Sequence, residues 1–314
     1  MAQSGSTVAC LGECMVELRT RPDGLLSRAF GGDTLNTAVY LARLGVRTEY
    51  VTALGDDDFS ADMIGAWTAE GVGTRHVLRL PGSLPGLYII ETDVAGERRF
   101  LHWRDSAPVR RIFDPPHVEA MEAALLSADV LYLSGITLSL FRGGARERLI
   151  ATLVRARDAG IRVVFDTNFR ARGWPDRGEA AQVYARILPL CHTVFAGIDD
   201  FRQIDGETSA EDLVARLARL GVAEAVVKRA EPGSLVGVGG VAVSVPIPGP
   251  IVPVDTTAAG DSFAAGYLAA RLSGDSPAAS ARAGHEVAAC VIMHPGAIVP
   301  REAMPPAWTL RRPA

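Results

Sequence analysis

The sequence predicts an α/β fold: a mainly parallel central sheet with helices on both faces, plus a small β lid. Two observations carry that reading. β-rich runs alternate with Gly-terminated helical segments along most of the chain, the signature of strand–helix–strand crossovers. The alternation breaks at Pro85 to Asp105, "PGLYIIETDVAGERRFLHWRD", where two runs of strand composition flank Ala95-Gly96. That is a β-hairpin with its turn near "DVAGE", and a hairpin inserted in a crossover series is a candidate lid.

In order, "TVACLGECMVEL" is β-rich and opens the fold, and "RTRPDGLLSRAF" reads as a loop or short edge strand. "GGDTLNTAVYLARLG" is a helix with Leu35, Ala38, Val39, Ala42 and Leu44 on one face and Gly45 as its stop. "TEYVTALG" is a strand and "DFSADMIGAWTAEG" another Gly-terminated helix. After the hairpin come helix "VEAMEAALLSA", strand "VLYLSG", helix "ARERLIATLVRARDAG", strand "RVVFDTN" and helix "AAQVYARILPLC". Strand "TVFAG", helix "SAEDLVARLARLG" and strand "AEAVVKRA" continue the series. "SLVGVGGVAVSVPIP" reads as antiparallel edge strands, "SARAGHEVAACVIM" as the closing helix, and the Pro-rich tail as surface wrapping. No internal repeat occurs. In open α/β sheets ligands collect at the carboxyl ends of the strands, where Gly12-Glu13, Asp166 to Arg170 and Ala196 to Asp200 fall.

With 314 residues, 48% hydrophobic and formally −4, the chain can bury a large core and suggests neither a nucleic-acid nor an anionic-membrane partner. Residues 233 to 254 carry no charge but are broken by Gly237, Gly239, Gly240, Pro246, Pro248 and Pro250, so they cannot span a bilayer as a helix. Cys10, Cys14, Cys191 and Cys290 form no C-x-x-C pair, and the N-terminus lacks a secretory pattern; a reduced, cytoplasmic setting is expected.

Several familiar motifs are absent. The only lysine, Lys228, follows "EAVV" and belongs to no P-loop; "AVVK" has no H-R-D or D-F-G to make it a protein-kinase strand. "GVGGVA" at Gly237 matches a dinucleotide fingerprint by count but leads into a strand, and the six histidines show no zinc spacing. His102, beside Trp103 and Arg104 on the hairpin, is the one histidine read as a substrate contact.

Three stretches carry chemistry. Asp255 to Gly266, "DTTAAGDSFAAG", puts Ala258, Ala259 and Gly260 at a helix start, where unpaired N–H groups and the helix dipole favour an anion. Asp261 beside such an anion is a poor ligand for it and suits a proton acceptor; the same stretch also reads as a capped, buried helix. "GGDTLN", Gly31 to Asn36, reads either as a turn with Asp33 or Thr34 as N-cap or as a cradle for sugar hydroxyls. "DTNFR", Asp166 to Arg170, gathers polar groups at a strand end, and Arg170 suits a carboxylate or phosphate. Arg104 could act likewise from the hairpin, and both also read as surface arginines.

Together, "GGDTLNTAVYLARLG" and "DTTAAGDSFAAGYLAARL" resemble the two signatures of the ribokinase-like sugar kinases, the PfkB family, and the similarity extends over nearly the whole chain. "GECMVEL", "LPGLYIIETDVAGERRFLHWRD", "YLSGITLSL", "FDTNFR" and "GAIVPREAMP" resemble the family's 2-dehydro-3-deoxygluconokinases more closely than its ribokinases or fructokinases. The resemblance implies a single three-layer α/β/α domain over residues 1–314, with a discontinuous β lid from residues 13–31 and 85–108. It implies ATP-dependent phosphorylation of a sugar's terminal 6-hydroxyl, with Asp261 as base and Ala258, Ala259 and Gly260 around the transferred phosphoryl group. Gly32, Asp33 and Asn36 would hold sugar hydroxyls; Tyr88, His102, Arg104 and Arg170 would meet an acid sugar. Asn168, Asp200, Lys228 and Gly233 would line the nucleotide side, joined there by Arg170, Ala258 and Gly260. Mg²⁺ would bridge the phosphates through water near Asp200, and some family members hold a monovalent cation such as K⁺ near the loop matching Asp255 and Thr257.

The chain departs from the family pattern in places. "AAGD" replaces G-A-G-D, Gly197 to Asp200 lacks the usual N-x-x-E, His102 stands where Tyr is common, and Ala230 where Gly is common. A fructokinase or another sugar kinase of the family, or a sugar-binding regulator without turnover, are the alternatives. Exposed β edges on a lid are covered most simply by a second copy, so a homodimer is expected.

Overall fold

The structure, a computed structural model, describes residues 5–21, 23–92, 98–206, 208–229, 233–249 and 251–304. The hairpin turn, Ala230 and the Pro-rich tail from 305 onward lie outside the described residues. The strands are β1 (Thr7–Leu11), β2 (Met15–Thr20), β3 (Leu26–Gly31), β4 (Arg47–Leu54), β5 (Val77–Arg79), β6 (Leu87–Thr92) and β7 (Arg98–Trp103). They continue with β8 (Val130–Ser134), β9 (Arg162–Asp166), β10 (Thr193–Gly197), β11 (Glu224–Lys228), β12 (Gly233–Val238) and β13 (Val241–Pro246). Among the described residues they divide into a nine-stranded sheet, β13-β12-β11-β10-β9-β8-β1-β4-β5, and a four-stranded sheet, β3-β2-β6-β7. From β11 to β5 every pairing is parallel; β12 and β13 add an antiparallel edge.

The helices are α1 (Asp33–Arg43), α2 (Asp58–Ala69), α3 (Val118–Leu126), α4 (Gly135–Leu140) and α5 (Gly143–Asp158). After them come α6 (Arg177–Ile187), α7 (Ile198–Asp205), α8 (Ala210–Arg219), α9 (Ala259–Leu272) and α10 (Pro277–Val291). The strand period of two sends Val8 and Cys10 to one face of the large sheet and Ala9 and Leu11 to the other. Leu35, Trp67, Phe263 and Val287, from α1, α2, α9 and α10, cover the first face. Met121, Leu149, Val183 and Leu217, from α3, α5, α6 and α8, cover the second. Three layers result, and strands buried on both faces become near-continuous apolar runs such as Val194-Phe195-Ala196. Full burial of a side chain like Phe195 contributes roughly 1.5–3 kcal/mol.

"TVACLGECMVEL" is one run in sequence but two strands in space. β1 joins the large sheet, and after Gly12-Glu13-Cys14 the chain crosses into the small sheet as β2. β2 pairs parallel with β6, and the β6–β7 hairpin is antiparallel. The stretch read as a loop or short edge strand supplies β3, an edge strand of the small sheet. Met15, Tyr88 and Ile90 form a small cluster on the face turned toward the large sheet's strand ends.

The start of α1 corrects one expectation. Its N-cap is Gly32, with no side-chain cap bond, rather than Asp33 or Thr34. A Cβ on Gly32 would lie 2.2 Å from the Glu13 carbonyl oxygen, so the entering chain presses on the β1–β2 junction and leaves no room for a capping side chain. Asp33 is thereby the first helical residue, and its carboxylate turns elsewhere.

Candidate active site

A cavity of about 600 Å³ lies between the carboxyl ends of the parallel strands and the inner face of the small sheet. α9 begins at its floor. Ala258, the N-cap, has φ 61° and ψ 14°, a left-handed conformation that turns the chain abruptly into the helix. The Ala259 N–H folds back to the Thr256 carbonyl at 3.2 Å, while Gly260 and Asp261 occupy the first turn, where helix N–H groups lack intrahelical acceptors. A Cβ on Gly260 would sit 3.2 Å from Lys228 Nζ, so an ammonium stands beside the side-chain-free loop. Helix dipole, open N–H groups and a lysine together form an anion cradle.

Lys228 is anchored by Asp166, whose Oδ1 and Oδ2 accept from Nζ at 3.0 and 2.8 Å. Burial opposes the ammonium, but the Asp166 carboxylate outweighs it and holds the lysine pKa above its ordinary value. Asn168, with φ 25°, donates its N–H to Asp166 Oδ1 at 3.3 Å and its side-chain Nδ2 to Asp33 Oδ2 at 2.9 Å. Expected on the nucleotide side, Asn168 therefore ties the β9 end to α1. Thr167 Oγ1 donates to Asp200 Oδ2 at 2.6 Å, and burial pushes the Asp200 carboxyl upward.

Asp261, the third residue of α9, stands beside the cradle and is 9% exposed. Asn36 Nδ2 donates to its Oδ2 at 2.8 Å, and Thr37 Oγ1 to its backbone carbonyl at 3.3 Å. Burial, then the nearby Asp33 carboxylate, push its pKa up to about 7, against the bond from Asn36 and the charge of Lys228. A carboxyl titrating near neutrality is suited to take a proton from a hydroxyl. Asn36 Oδ1 is buried without a hydrogen-bond partner, an acceptor left over in a residue of the cavity wall.

The small sheet supplies the roof. Tyr88 donates its hydroxyl to Glu17, and its ring stacks on His102 with centroids 5.7 Å apart. Arg172 Nη1 lies 3.0 Å from His102 Nδ1 and donates to the Phe100 carbonyl at 3.2 Å. A guanidinium only donates, so Nδ1 accepts and the neutral ring carries its proton on Nε2; burial and then the Arg104 and Arg172 charges lower its pKa in keeping with that. Arg104 pairs with Glu13, while Arg170 donates to the Phe169 carbonyl at 2.8 Å from the opposite wall.

The cavity wall thus gathers Gly32, Asp33, Asn36, Tyr88, His102, Arg104, Asn168, Arg170, Asp200, Lys228 and Ala258 to Asp261. Gly233 stands apart from it, at the start of β12, where a Cβ would meet the Val245 carbonyl oxygen at 2.3 Å. The sequence missed Arg172, visible only as a second arginine after "DTNFR", and helix α4, whose Ile136 and Ser139 line the wall. It noted Glu13 and Asp166 as strand-end residues without giving either a partner.

Two implied cations can be tested against these residues. Magnesium takes one or two carboxylates together with phosphate oxygens and water. Asp200, in the wall, fits that pattern through water, whereas both oxygens of Asp166 already accept from Lys228; no group of three or more His, Cys, Asp or Glu poised for a metal occurs among the described residues. The monovalent cation fits less well. Asp255 Oδ1 accepts from Thr257 N and Oγ1 at 2.9 and 2.6 Å, Oδ2 accepts from Gly296 N at 3.0 Å, and Arg19 Nη1 stands 3.6 Å from Oδ2. This donor set does not fit a cation held by those two side chains.

Residues 6–304 match the model of the pfkB family carbohydrate kinases. The 2-dehydro-3-deoxygluconokinase of Escherichia coli (strain K12) is 44% identical over 306 residues, 95% of this chain and 98% of that protein. The enzyme of the same name from Dickeya dadantii (strain 3937) is 43% identical over the same shares. Among solved structures, a fructokinase with bound ATP from Xylella fastidiosa superposes with a TM-score of 0.81 at 24% identity, covering 95% of each chain.

Proposed function

From the premise that this chain belongs to the pfkB family of carbohydrate kinases, with its ribokinase-like fold, we propose that it transfers the terminal phosphoryl group of ATP to the 6-hydroxyl of 2-dehydro-3-deoxy-D-gluconate, giving the 6-phosphate. One observation carries the chemistry: a buried carboxylate, Asp261, stands in the first turn of the helix whose start makes the anion cradle, with Lys228 beside that start. Phosphoryl transfer asks mainly for positioning and charge stabilisation, and this arrangement offers both.

In this reading Asp261 accepts the proton of the 6-hydroxyl as that oxygen bonds to the terminal phosphorus of ATP and the bond from that phosphorus to the bridging oxygen breaks, releasing ADP. The small loop of Ala258, Ala259 and Gly260 surrounds the transferred phosphoryl group, to whose oxygens the open first-turn N–H groups at Gly260 and Asp261 are offered, and Lys228 adds positive charge. Gly32, Asp33 and Asn36 orient the sugar hydroxyls. Tyr88, His102, Arg104 and Arg170 receive the acid end, the two arginines because a guanidinium matches a carboxylate in a fork. Asn168 and Asp200 border the nucleotide side; Gly233 reaches it only through β12. Magnesium, bound through water near Asp200, would neutralise charge on the phosphates.

The exposed edge strand β3 of the small sheet, with Leu26 at its start 52% accessible and the preceding Leu25 62%, supports a homodimer in which a second copy covers that edge. Four free cysteines support a reduced, cytoplasmic setting. No helix among the described residues is long and apolar enough to cross a membrane.

A coupled ADP-release assay over a panel of acid and neutral sugars tests the assignment. Turnover with 2-dehydro-3-deoxygluconate far above that with D-fructose is the expected result. Equal turnover with both would move the chain to the neutral-sugar kinases of the family.

A further inference from the structure

Glu13 follows Gly12 at the carboxyl end of β1, in the cavity wall but outside every role assigned above. Its carboxylate is buried, and its Oε2 pairs with Nη2 of Arg104, just past the end of β7. The pair joins the large sheet to the small one across the sugar end of the cavity. It is a single-point contact rather than the two-pronged fork common for arginine and carboxylate. Glu13 Oε1 and Arg104 Nε are both buried, and neither has a hydrogen-bond partner.

The backbone holds this arrangement in place. Arg110 Nε donates to the Arg104 carbonyl at 3.1 Å, and Val16 N donates to the Gly86 carbonyl at 2.8 Å. A Cβ on Gly86 would come within 2.8 Å of Glu13 Oε1 and 3.2 Å of Arg104 Cβ, so a bare backbone backs the pair. One acceptor and one donor are thus left over on the same ion pair. A hydroxyl, which donates one hydrogen bond and accepts others, satisfies both at once.

We propose that Glu13 is a specificity-determining residue of the sugar site: Oε2 holds Arg104 in position, while Oε1 accepts a hydrogen bond from a hydroxyl of the bound sugar acid, to which Arg104 Nε donates. The inference rests on the acid-sugar reading above. The C4 and C5 hydroxyls, between the acid end and the reacting 6-hydroxyl, are the ones within the sugar's span. A sugar lacking the right one would leave both protein atoms unpaired, and sites built to bond a hydroxyl reject such analogues strongly.

The test is a cycle on the full-length enzyme, pairing Glu13→Gln with the 4-deoxy and 5-deoxy analogues of the substrate. In the Gln variant Arg104 still needs an acceptor, so the amide oxygen takes the Oε2 place and the amide nitrogen falls where Oε1 was. Acceptor becomes donor with almost no change of shape. The wild type is expected to discriminate against one analogue by roughly 10³-fold or more in kcat/KM. Glu13→Gln is expected to raise KM for the parent sugar and lose most of that discrimination, while its ratio for the other analogue stays unchanged. Equal ratios in both enzymes for both analogues would overturn the proposal. Each ratio is taken within one enzyme, so a less stable variant does not blur the comparison. If the Gln variant fails to fold, Arg104→Lys, which removes Nε, gives the same reading from the other side of the pair. Should the wild type prefer a neutral sugar, the acid-sugar assignment fails, and the same cycle on deoxy forms of that sugar still decides the role of Glu13.

Discussion

Asn36 Nδ2 donates to Asp261 Oδ2 at 2.8 Å, joining the first turns of α1 and α9 across the cavity floor. The bond fixes one carboxylate oxygen within the first turn of α9, beside the anion cradle. Asp261→Asn keeps the shape but cannot take a proton. We expect kcat to fall by about 10²–10⁴-fold, with sugar affinity by calorimetry changed only a few-fold. A variant that keeps turnover within tenfold of wild type would remove Asp261 as the base.

The same residue sets a pH dependence. Asp261 must be ionised to act, so with its carboxyl pushed up to about 7, kcat/KM should rise with pH through that value. Stability should move the other way. Between the ordinary 3.8 and about 7 the folded state keeps a proton that the unfolded chain has released, so stability falls as pH rises across that window and the penalty is complete above it. Asp261→Asn has no charge to bury. Its melting temperature relative to wild type should therefore increase from pH 5 to pH 8; a constant difference would refute the raised value.

Lys228 has a structural duty beside its place at the cradle. The Asp166 side chain is 2% exposed and Lys228 stands 2.8 Å from it, so Lys228→Met leaves a buried carboxylate without its ammonium. Urea unfolding should show a loss of about 3–5 kcal/mol, the usual result of removing one partner from a buried pair. Asp166→Asn combined with Lys228→Met should recover most of that loss. Activity should not return with it, because the positive charge beside Gly260 is still missing.

Arg170 tests the acid end of the sugar. Its guanidinium donates to the Phe169 carbonyl and lines the cavity opposite Arg104. Arg170→Leu should raise KM for the acid sugar by roughly tenfold or more, the scale of one charge-assisted hydrogen bond, and leave KM for any neutral sugar nearly unchanged. Steady-state kinetics on both sugars with equal losses would deny it a carboxylate role.

What the sequence disclosed follows from which signals are local. Val194-Phe195-Ala196 reads as a buried strand because both faces are covered, and the start of α9 reads as an anion site because small residues precede Asp261. α4 and α7 stayed hidden because six and eight residues are too few to show a helical period. β3 was legible only as one of two readings, a loop or a short edge strand, because the charges and proline of "RTRPDGLLSRAF" suit an edge that pairs with β2 on one side only. The roof contacts left no trace at all. Arg172 meets His102 across 70 residues and Arg104 meets Glu13 across 91, pairings that only the meeting of the two sheets creates.

Ala258 is the position where the local rule and the fold disagree most openly. Its φ of 61° belongs to the left-handed region, which costs an alanine roughly 1–2 kcal/mol and costs glycine nothing. The adjoining chain enforces it: Ser262 N donates to the Ala258 carbonyl at 2.9 Å and the Ala259 N–H folds back to Thr256. Ala258→Gly should therefore raise stability by up to about 1 kcal/mol by denaturant unfolding, reduced from the full relief because glycine also frees the unfolded chain. Its kcat should stay within about twofold of wild type, since the cradle's N–H groups are unchanged. Ala258→Val is the counterpart. A β-branched side chain resists positive φ, so the loop must shift to accept it, and kcat should fall with KM for ATP rising. If Val turned over ATP as well as Ala, the left-handed turn would not be what aims these N–H groups at the phosphoryl group.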